Sequence, residues 1–237
     1  MIIIGINSKR FNEVLKLFLR MLYFVKTPWW LRKLIPGRLW SVKTDEKILY
    51  LSFDDGPHPI ITEEVLNLLQ TYNAKASFFC VGTNVQKYAE TYASILNQGH
   101  GVGNHTMQHL NASKVGDREY LHDIRAAKQF IDSKMFRPPY GKLSSFLQKQ
   151  MEHSSIDLKI IMWSILSGDF DPDITAEKCK DNVLLHAKQG DIIVFHDSEK
   201  AAEKMFFALE ATLKYFSQQG FSFQALSYNV LEEQLNN

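Results

Sequence analysis

From residue 46 onward, the sequence alternates between short runs rich in β-branched and aromatic residues and segments with helical periodicity. Strands that alternate with helices of about a dozen residues are joined by right-handed crossovers, and such strands run parallel. The alternation therefore predicts an α/β fold built on a parallel sheet. The chain has 237 residues, 45% of them hydrophobic, which is enough to bury a large core.

Seven strands and six helices are predicted, with no internal repeat, low-complexity tract or linker between them. Seven strands are fewer than the eight of a TIM barrel, so an incomplete barrel and an open sheet both fit. The predicted strands are 47–53, 75–82, 100–105, 135–139, 158–163, 191–196 and 221–226. The predicted helices are 62–72, with Thr62 as its capping residue, 84–97, 117–132, 144–152, 175–188 and 201–219. We interpret residues 46–237 as one domain and residues 1–45 as an N-terminal extension.

Polar side chains fall at the carboxyl ends of the predicted strands, the edge where α/β barrels gather their active sites. They are Asp54, Asp55, His105, Arg137 and His196. The first two belong to the stretch FDDGP, in which a single aspartate would be enough for a turn or a helix cap. Two adjacent carboxylates repel each other unless a cation or a proton holds them, so the pair indicates a cation site.

The stretch HTMQH places His105 and His109 four residues apart, which on a helical turn brings both imidazoles to one face. Histidine pairs at this spacing also occur without a metal. Two histidines and one carboxylate are, however, the three-ligand set of a catalytic zinc, with one position left for water. Together with the acid pair, the histidines predict a metal centre in which the second aspartate has a separate role.

The stretch FRPPYG contains two prolines and a glycine that are explained by a stiff loop. Arg137 is not explained in this way, because a guanidinium at a barrel rim needs a carboxylate partner, and the nearest candidates are the paired aspartates. The stiff loop would also fix the backbone N–H of Tyr140 as an oxyanion donor.

The last two stretches are GDF, which contains Asp169, and VFHD, which contains His196. Taken separately, the aspartate is consistent with a cap and the histidine with a core residue. Taken together, they indicate a carboxylate that orients an imidazole and raises its pKa, as a general acid requires.

In this order, FDDGP, HTMQH, RPPYG, GDF and VFHD resemble the five signature motifs of the NodB-type polysaccharide deacetylases, carbohydrate esterase family 4. The resemblance spans roughly residues 46–230 and implies a single-domain, distorted (β/α)7 barrel. It also implies a metal-dependent hydrolase that removes N-acetyl groups from N-acetylglucosamine-containing polysaccharide, peptidoglycan- or chitin-like, by attack of a metal-bound water. The implied cofactor is Zn²⁺ or another divalent transition metal such as Co²⁺. The implied partner is an acetylated polysaccharide or oligosaccharide, and no nucleic acid is expected.

The resemblance further implies a role for each matching residue. The implied catalytic residues are Asp54 as general base, Arg137 as its support, Tyr140 as oxyanion donor through its backbone N–H, His196 as general acid and Asp169 as the support of His196. The implied metal ligands are Asp55, His105 and His109. The implied substrate contacts are Pro139, Tyr140, Phe170 and Val194, the last at a position where the family usually has a leucine.

The sequence departs from the family pattern in the fourth motif. Phe170 stands where the family often has a tryptophan, so the indole N–H donor is missing, and Leu166 replaces an acid common in many members. Three alternatives remain open: an O-acetyl polysaccharide esterase, another C–N hydrolase on the same scaffold, and a catalytically silent carbohydrate-binding protein.

The N-terminal extension is basic and rich in aromatic residues, with nine basic side chains and one acid before residue 45. Basic residues interrupt its apolar stretch, so it fits neither a membrane span nor a signal peptide. It suits an amphipathic helix that lies either across the bottom of a barrel or on an anionic membrane surface. The formal net charge of +1 and the two cysteines identify no compartment. The implied activity favours the cell envelope.

Overall fold

The structure, a computed structural model, describes residues 23–152 and 156–235. Its strands are β1 (Arg38–Leu39), β2 (Ile48–Asp54), β3 (Ala76–Cys80), β4 (Gly101–Asn104), β5 (Met135–Phe136), β6 (Lys159–Ile161), β7 (Ile165–Leu166), β8 (Ile192–His196) and β9 (Ser222–Phe223). Its helices are α1 (Trp29–Leu34), α2 (Ile61–Thr71), α3 (Gly82–Lys87), α4 (Ala89–Asn97), α5 (Asp117–Ala127), α6 (Ser145–Glu152), α7 (Ala176–Leu184), α8 (Ala202–Gln218) and α9 (Tyr228–Leu235).

The nine strands form one sheet in the order β1-β6-β5-β4-β3-β2-β8-β7, and β9 pairs with the start of β2. All of the strand pairs are parallel. The predicted α/β class with a parallel sheet is therefore confirmed. Because the strands share one direction, their carboxyl ends lie at one edge, and the polar side chains that follow them meet there.

Strand β2 shows how the sequence places apolar side chains on one face and the polar site residues on the other. It is buried at all seven positions, as expected for a central strand covered on both faces. Leu49, Leu51 and Phe53 pack in the hydrophobic cluster that contains the apolar faces of α2 and α8. Side chains alternate along a strand, so Ser52 and Asp54 point to the opposite, inner face.

The seven predicted strands are all present, but the two-residue strands β1 and β7 were missed. The predicted helix 84–97 is two helices, α3 and α4, that meet at Tyr88. The prediction of Thr62 as a capping residue is wrong, because the N-cap of α2 is Ile60, whose side chain makes no capping hydrogen bond. Thr62 lies inside the helix, where its hydroxyl oxygen accepts a hydrogen bond from the backbone N–H of His58.

Residues 23–42, which we call the closing segment, connect parts of the sheet that are distant along the chain. In the segment, Val25 O accepts from Leu166 N at 2.8 Å, next to β7. Further on, Val42 N donates to Gly190 O at 2.8 Å, next to β8, and β1 pairs with β6. The described part of the extension thus contributes a strand to the sheet, while the domain boundary at residue 45 stays a prediction.

Within the described ranges, no helix has both the length and the apolar character needed to cross a bilayer. Most of the predicted amphipathic helix falls on residues 1–22, which lie outside the described residues.

Candidate active site

A cavity of about 430 Å³ opens at the carboxyl ends of the strands. Eight of the predicted site residues line it, namely Asp54, Asp55, His105, His109, Tyr140, Phe170, Val194 and His196. The other three, Arg137, Pro139 and Asp169, are buried next to these lining residues. Residues from five separate motifs therefore come together around one cavity. The lining also includes residues to which no role was assigned, among them Tyr23, Lys142 and Trp163.

Asp54 and Arg137 form a buried ion pair at the base of this pocket. Arg137 Nη1 donates to Asp54 Oδ1 at 2.6 Å and to Ser52 Oγ at 2.8 Å. The other guanidinium nitrogens donate to the carbonyl oxygens of Ile161 and Met162. Burial lowers the pKa of Arg137, and the Asp54 carboxylate offsets part of that effect. The guanidinium thus fixes one oxygen of Asp54, and its second oxygen has no hydrogen bond within the described residues.

Asp55, His105 and His109 bring one donor atom each within 4.8 Å of one another. Asp55 Oδ1 lies 3.1 Å from His109 Nε2 and 3.7 Å from His105 Nε2. His105 Nδ1 lies 2.7 Å from the carbonyl oxygen of Arg137, so an N–H donated there leaves Nε2 free to act as a ligand. Two imidazoles and one carboxylate around a common centre suit Zn²⁺, which favours nitrogen and oxygen donors at this coordination number.

The pKa shifts of these groups agree with a cation-binding arrangement. Burial lowers the pKa of His105 to about 4, which keeps the imidazole neutral near pH 7. Burial alone would raise the pKa of Asp55. The hydrogen bond to His109 and the neighbouring imidazoles outweigh burial and hold the pKa of this carboxyl below its usual range. Asp55 is therefore ionised and His105 is neutral, as metal ligands must be.

The two histidines do not lie on a helical turn, so that part of the prediction is wrong. They lie in the loop that follows β4. Thr106 and His109 adopt left-handed backbone conformations, with φ of 66° and 55°. Non-glycine residues are uncommon in this region, and the surrounding contacts must hold them there.

Asp123, which the sequence analysis missed, stabilises the backbone of this loop. It lies on α5 and is only 3% exposed. Its Oδ2 accepts hydrogen bonds from the backbone N–H groups of Met107 and Gln108, at 3.0 Å each. A buried carboxylate at the inner face of a helix was not recognisable from the sequence, since acids on amphipathic helices are usually exposed.

Asp197, also missed, holds the loop that follows β2 in the same way. Its Oδ1 accepts from Gly56 N at 3.0 Å, and its Oδ2 accepts from the hydroxyl of Thr62. A Cβ atom on Gly56 would lie 2.1 Å from Asp197 Oδ2, so this close approach requires glycine. Asp55, with φ of 82°, precedes that glycine. The sequence feature that could have identified Asp197 was its position directly after His196, at the end of a strand.

His196 and Asp169 form the predicted imidazole–carboxylate pair. Asp169 Oδ1 lies 2.7 Å from His196 Nδ1, and its Oδ2 accepts from the backbone N–H of the same histidine at 2.8 Å. Burial alone would lower the pKa of His196. The charge and the hydrogen bond of Asp169 outweigh burial and raise the pKa to about 9. The imidazole is therefore protonated near pH 7 and has a proton to give.

Aromatic side chains form the exposed side of the pocket. The ring of Tyr140 is 60% exposed, and its centroid lies 4.9 Å from that of His109. Phe170 is 40% exposed and lies 5.0 Å from His196. Tyr23, from the closing segment, lies 5.3 Å from Phe170 and was not predicted to be part of the site.

The remaining predicted contacts also lie at the pocket. Val194 is fully buried on β8 and lines the cavity. Pro139 begins a single 3₁₀ turn, Pro139–Gly141, in which Tyr140 has φ of 60°. The N–H of Tyr140 makes no hydrogen bond to any described residue, so it is available to a ligand.

Similarity to known proteins identifies the family. The polysaccharide deacetylase family model matches residues 41–156. A peptidoglycan-N-acetylglucosamine deacetylase of Bacillus cereus is 34% identical over 194 residues, which cover 79% of this chain and 90% of the relative. The chain belongs to the polysaccharide deacetylase family.

Two further relatives support the same assignment. A chitooligosaccharide deacetylase of Azorhizobium caulinodans is 31% identical over 173 residues, covering 68% of this chain and 79% of the relative. A crystal structure of a peptidoglycan N-acetylglucosamine deacetylase in complex with 4-naphthalen-1-yl-N-oxidanyl-benzamide superposes with a TM-score of 0.76 at 27% identity. That superposition covers 89% of this chain and 98% of the other. The resemblance to carbohydrate esterase family 4, the (β/α)7-type fold and the hydrolase class are therefore confirmed.

The roles of individual side chains in this polysaccharide deacetylase stay predictions. The pocket nevertheless contains the groups that amide hydrolysis requires: a carboxylate oxygen and a backbone N–H that have no partner among the described residues, a set of metal donors and a protonated imidazole.

Proposed function

We propose that this protein hydrolyses the N-acetyl groups of N-acetylglucosamine residues in a peptidoglycan-like polysaccharide, with a divalent metal as cofactor. One observation carries the proposal: the guanidinium-held carboxylate of Asp54 and the protonated imidazole of His196 face the same cavity as the three metal donors. The names of the relatives support the substrate, because two of the three act on N-acetylglucosamine of peptidoglycan.

We propose Asp55, His105 and His109 as ligands of Zn²⁺ or Co²⁺. Their fit rests on the ionised carboxylate of Asp55, on the lowered pKa of His105, which keeps its imidazole neutral, and on the carbonyl that orients this ring. A metal bound there supplies a Lewis acid that polarises the acetyl carbonyl and acidifies water.

The proton transfers are proposed to follow from the geometry of the chain. Asp54 takes a proton from water as the water oxygen bonds to the acetyl carbon, and Arg137 keeps the receiving carboxylate in place. The backbone N–H of Tyr140 donates to the carbonyl oxygen as it gains negative charge. His196 then gives its proton to the amide nitrogen as the C–N bond breaks, so that acetate and a sugar amine leave.

The experiment that tests this function measures acetate release from N-acetylglucosamine oligomers and from acetylated xylan. Protein stripped of metal by a chelator is assayed before and after zinc is restored. We expect release from the oligomers only when zinc is present. Release from xylan alone would instead support an O-acetyl esterase. Stoichiometric zinc without release from either substrate would overturn the proposal in favour of a different C–N hydrolase or a binding protein.

We also propose that the enzyme acts in the cell envelope and that its closing segment makes peripheral contact with an anionic membrane surface. Trp29, Trp30 and Leu34 on α1 are 70%, 46% and 70% exposed, next to the basic Arg32 and Lys33. Exposed aromatic and cationic side chains together favour the interface of anionic lipids.

Sedimentation with anionic vesicles tests this contact, using the double substitution Trp29→Ala and Leu34→Ala. The matched control is Leu185→Ala, which removes an equally exposed leucine, 74% exposed, on another part of the surface. We expect only the double variant to lose vesicle binding. Equal sedimentation of the wild type and both variants would contradict the proposed contact.

A further inference from the structure

A second cavity lies beside the catalytic pocket, and we call it the aromatic groove. It has a volume of about 210 Å³ and shares Tyr23, Tyr140 and Trp163 with the catalytic pocket. Its remaining walls come largely from the closing segment, including Arg38 and Trp40. A glycan that places one sugar in the catalytic pocket would therefore reach the groove with a neighbouring sugar.

The groove contains an unusual buried cation. Arg38 is only 8% exposed, and its Nε and Nη2 donate to Gln148 Oε1 and to the carbonyl oxygen of Leu143. Its Nη1 has no hydrogen-bond acceptor, and no carboxylate pairs with it, among residues 23–152 and 156–235. Burial lowers the pKa of Arg38, with no acid to offset it. A buried charge of this kind is costly unless an anion compensates it.

A buried donor without a partner lies next to Arg38. Trp40, the residue after β1, lines the same groove as Arg38. Trp40 is 8% exposed, and its indole Nε1–H is buried without a hydrogen-bond partner in the described structure. An unsatisfied buried donor such as the Trp40 N–H is rare in folded proteins. Together with Nη1 of Arg38, which has no acceptor among the described residues, it indicates a ligand that accepts hydrogen bonds from both side chains.

The lining defines the chemistry of that ligand. None of the described residues that line the groove is acidic, and Trp163 and Tyr140 offer aromatic faces on which a sugar ring can pack. A guanidinium and an indole N–H together are suited to a carboxylate, through charge-assisted hydrogen bonds. The groove thus fits a sugar that bears a carboxylate.

We propose that the aromatic groove is a subsite for the sugar adjacent to the one deacetylated, and that Arg38 and Trp40 recognise a carboxylate on it. This inference rests on the proposed function and narrows its substrate to an acidic glycan. In peptidoglycan, such a carboxylate is available on the lactyl ether of the neighbouring N-acetylmuramic acid or, where that group is amidated, on an attached peptide. A neutral chitin-like polymer offers none.

The test compares three glycans of equal length: a neutral N-acetylglucosamine oligomer, an oligomer alternating with N-acetylmuramic acid that has free lactyl carboxylates, and the latter capped as methyl amides. A peptide-bearing oligomer distinguishes the two sources of the carboxylate. For the wild type with zinc, we expect kcat/KM on a carboxylate-bearing glycan to exceed that on the capped glycan roughly 10- to 100-fold, the range of a hydrogen bond to a charged group.

Arg38→Gln is expected to remove this preference by raising KM for the carboxylate-bearing glycan, while kcat/KM on the neutral oligomer stays within about twofold. Arg38→Lys should restore part of the preference, because it retains the charge. Arg32→Gln is the matched control, since it removes another cation of the closing segment that does not line the groove. If Arg38→Gln fails to fold, Trp40→Phe serves instead, with an expected loss of about 2- to 10-fold confined to the same substrate.

Equal losses on neutral and acidic glycans would overturn the inference and assign Arg38 a structural role only. A wild type without preference for the carboxylate would overturn it as well. Calorimetric binding of the free and capped glycans to Asp54→Asn protein separates this inference from the proposed function. A preference in binding without acetate release from the wild type would retain the subsite and reject the deacetylase proposal.

Discussion

The catalytic pocket has two unlike sides. Its floor, formed by Asp54, Arg137, His105 and Asp169, is between 0% and 4% exposed, and each side chain is held by at least one hydrogen bond. Its rim, formed by Tyr23, Tyr140 and Phe170, is aromatic, and two of its rings are among the exposed large side chains of the protein.

This difference suggests that the floor carries out the reaction and that the rim binds the sugar. Buried charges with fixed partners stay oriented and lose little free energy to reorganisation when charge moves between them. Exposed aromatic rings present surface for a sugar but hold no proton that the reaction needs. Substitutions in the floor should therefore alter kcat, metal affinity and pH dependence, whereas substitutions in the rim should alter KM.

The largest effect is expected for Asp54→Asn in the floor. The amide can still accept from Arg137, so the fold is retained, but it cannot take a proton from water. We expect kcat to fall by about 10²- to 10⁴-fold, the usual contribution of a general base, while zinc still binds stoichiometrically. Acetate release and metal analysis of the same sample measure both. Retained activity would show that the base is another group.

Asp197→Asn and Asp123→Asn are expected to lower catalysis less but to weaken metal binding directly. Asp197→Asn converts one of two accepting oxygens into a donor, and Asp123→Asn removes the charge from the oxygen that accepts from Met107 and Gln108. Each substitution therefore weakens the contacts that hold a loop bearing metal donors. Loss of such supporting contacts typically weakens metal binding about 10- to 100-fold. Zinc affinity is measured by competition with a chelator. Asp191→Asn is the control, since Asp191 is equally buried but lies at the amino end of β8. An equal loss of zinc affinity in Asp191→Asn would show that the effect is not specific to the loops that bear the metal donors.

Asp169→Asn should change the pH dependence. Asp169 raises the pKa of His196 from 6.5 to about 9, so the alkaline limb of kcat/KM should move to lower pH when it is neutralised. The same shift affects stability. The wild-type pair adds stability that is fully present below pH 6.5 and is lost as the pH rises through about 9.

The thermal stability of metal-free wild type and Asp169→Asn, measured from pH 6 to pH 10, checks the sign of this linkage. We expect the gap between the two proteins to narrow as the pH rises. A gap that is constant across this range would mean that His196 does not titrate as assigned.

The smallest effect is expected in the rim. Phe170→Ala removes an aromatic face, and aromatic contacts of this kind contribute about 0.5–1.5 kcal/mol. We expect KM to rise about 2- to 10-fold at nearly constant kcat. Steady-state kinetics with N-acetylglucosamine oligomers measure both constants. A fall in kcat with unchanged KM would place Phe170 functionally with the floor, through its contact with His196.

The floor was largely predictable from the sequence, because its residues follow strands and strand direction alone brings them together. The loop conformation of His105 and His109 was not predictable, since it depends on the left-handed backbone at Thr106 and on the buried Asp123. Helix packing decides whether such a residue is buried, and this packing leaves no pattern in the local sequence.

The rim and the groove were the least predictable. Tyr23 is held at the pocket by contacts more than a hundred residues later in the chain: its hydroxyl donates to Asp171, and Val25 and Thr27 are hydrogen-bonded next to β7. The two-residue strands β1 and β7 are too short to produce a periodic pattern. Pairing between distant segments, rather than local propensity, decides this part of the structure.

The closing segment also has a consequence for the order of events during synthesis. Val42 is translated before Gly190, whose carbonyl accepts from it and lies 148 residues later in the chain. At about 5–20 residues per second, Val42 remains without this partner for roughly 7 to 30 s. The catalytic rim is therefore completed only after β6, β7 and Phe170 have been made.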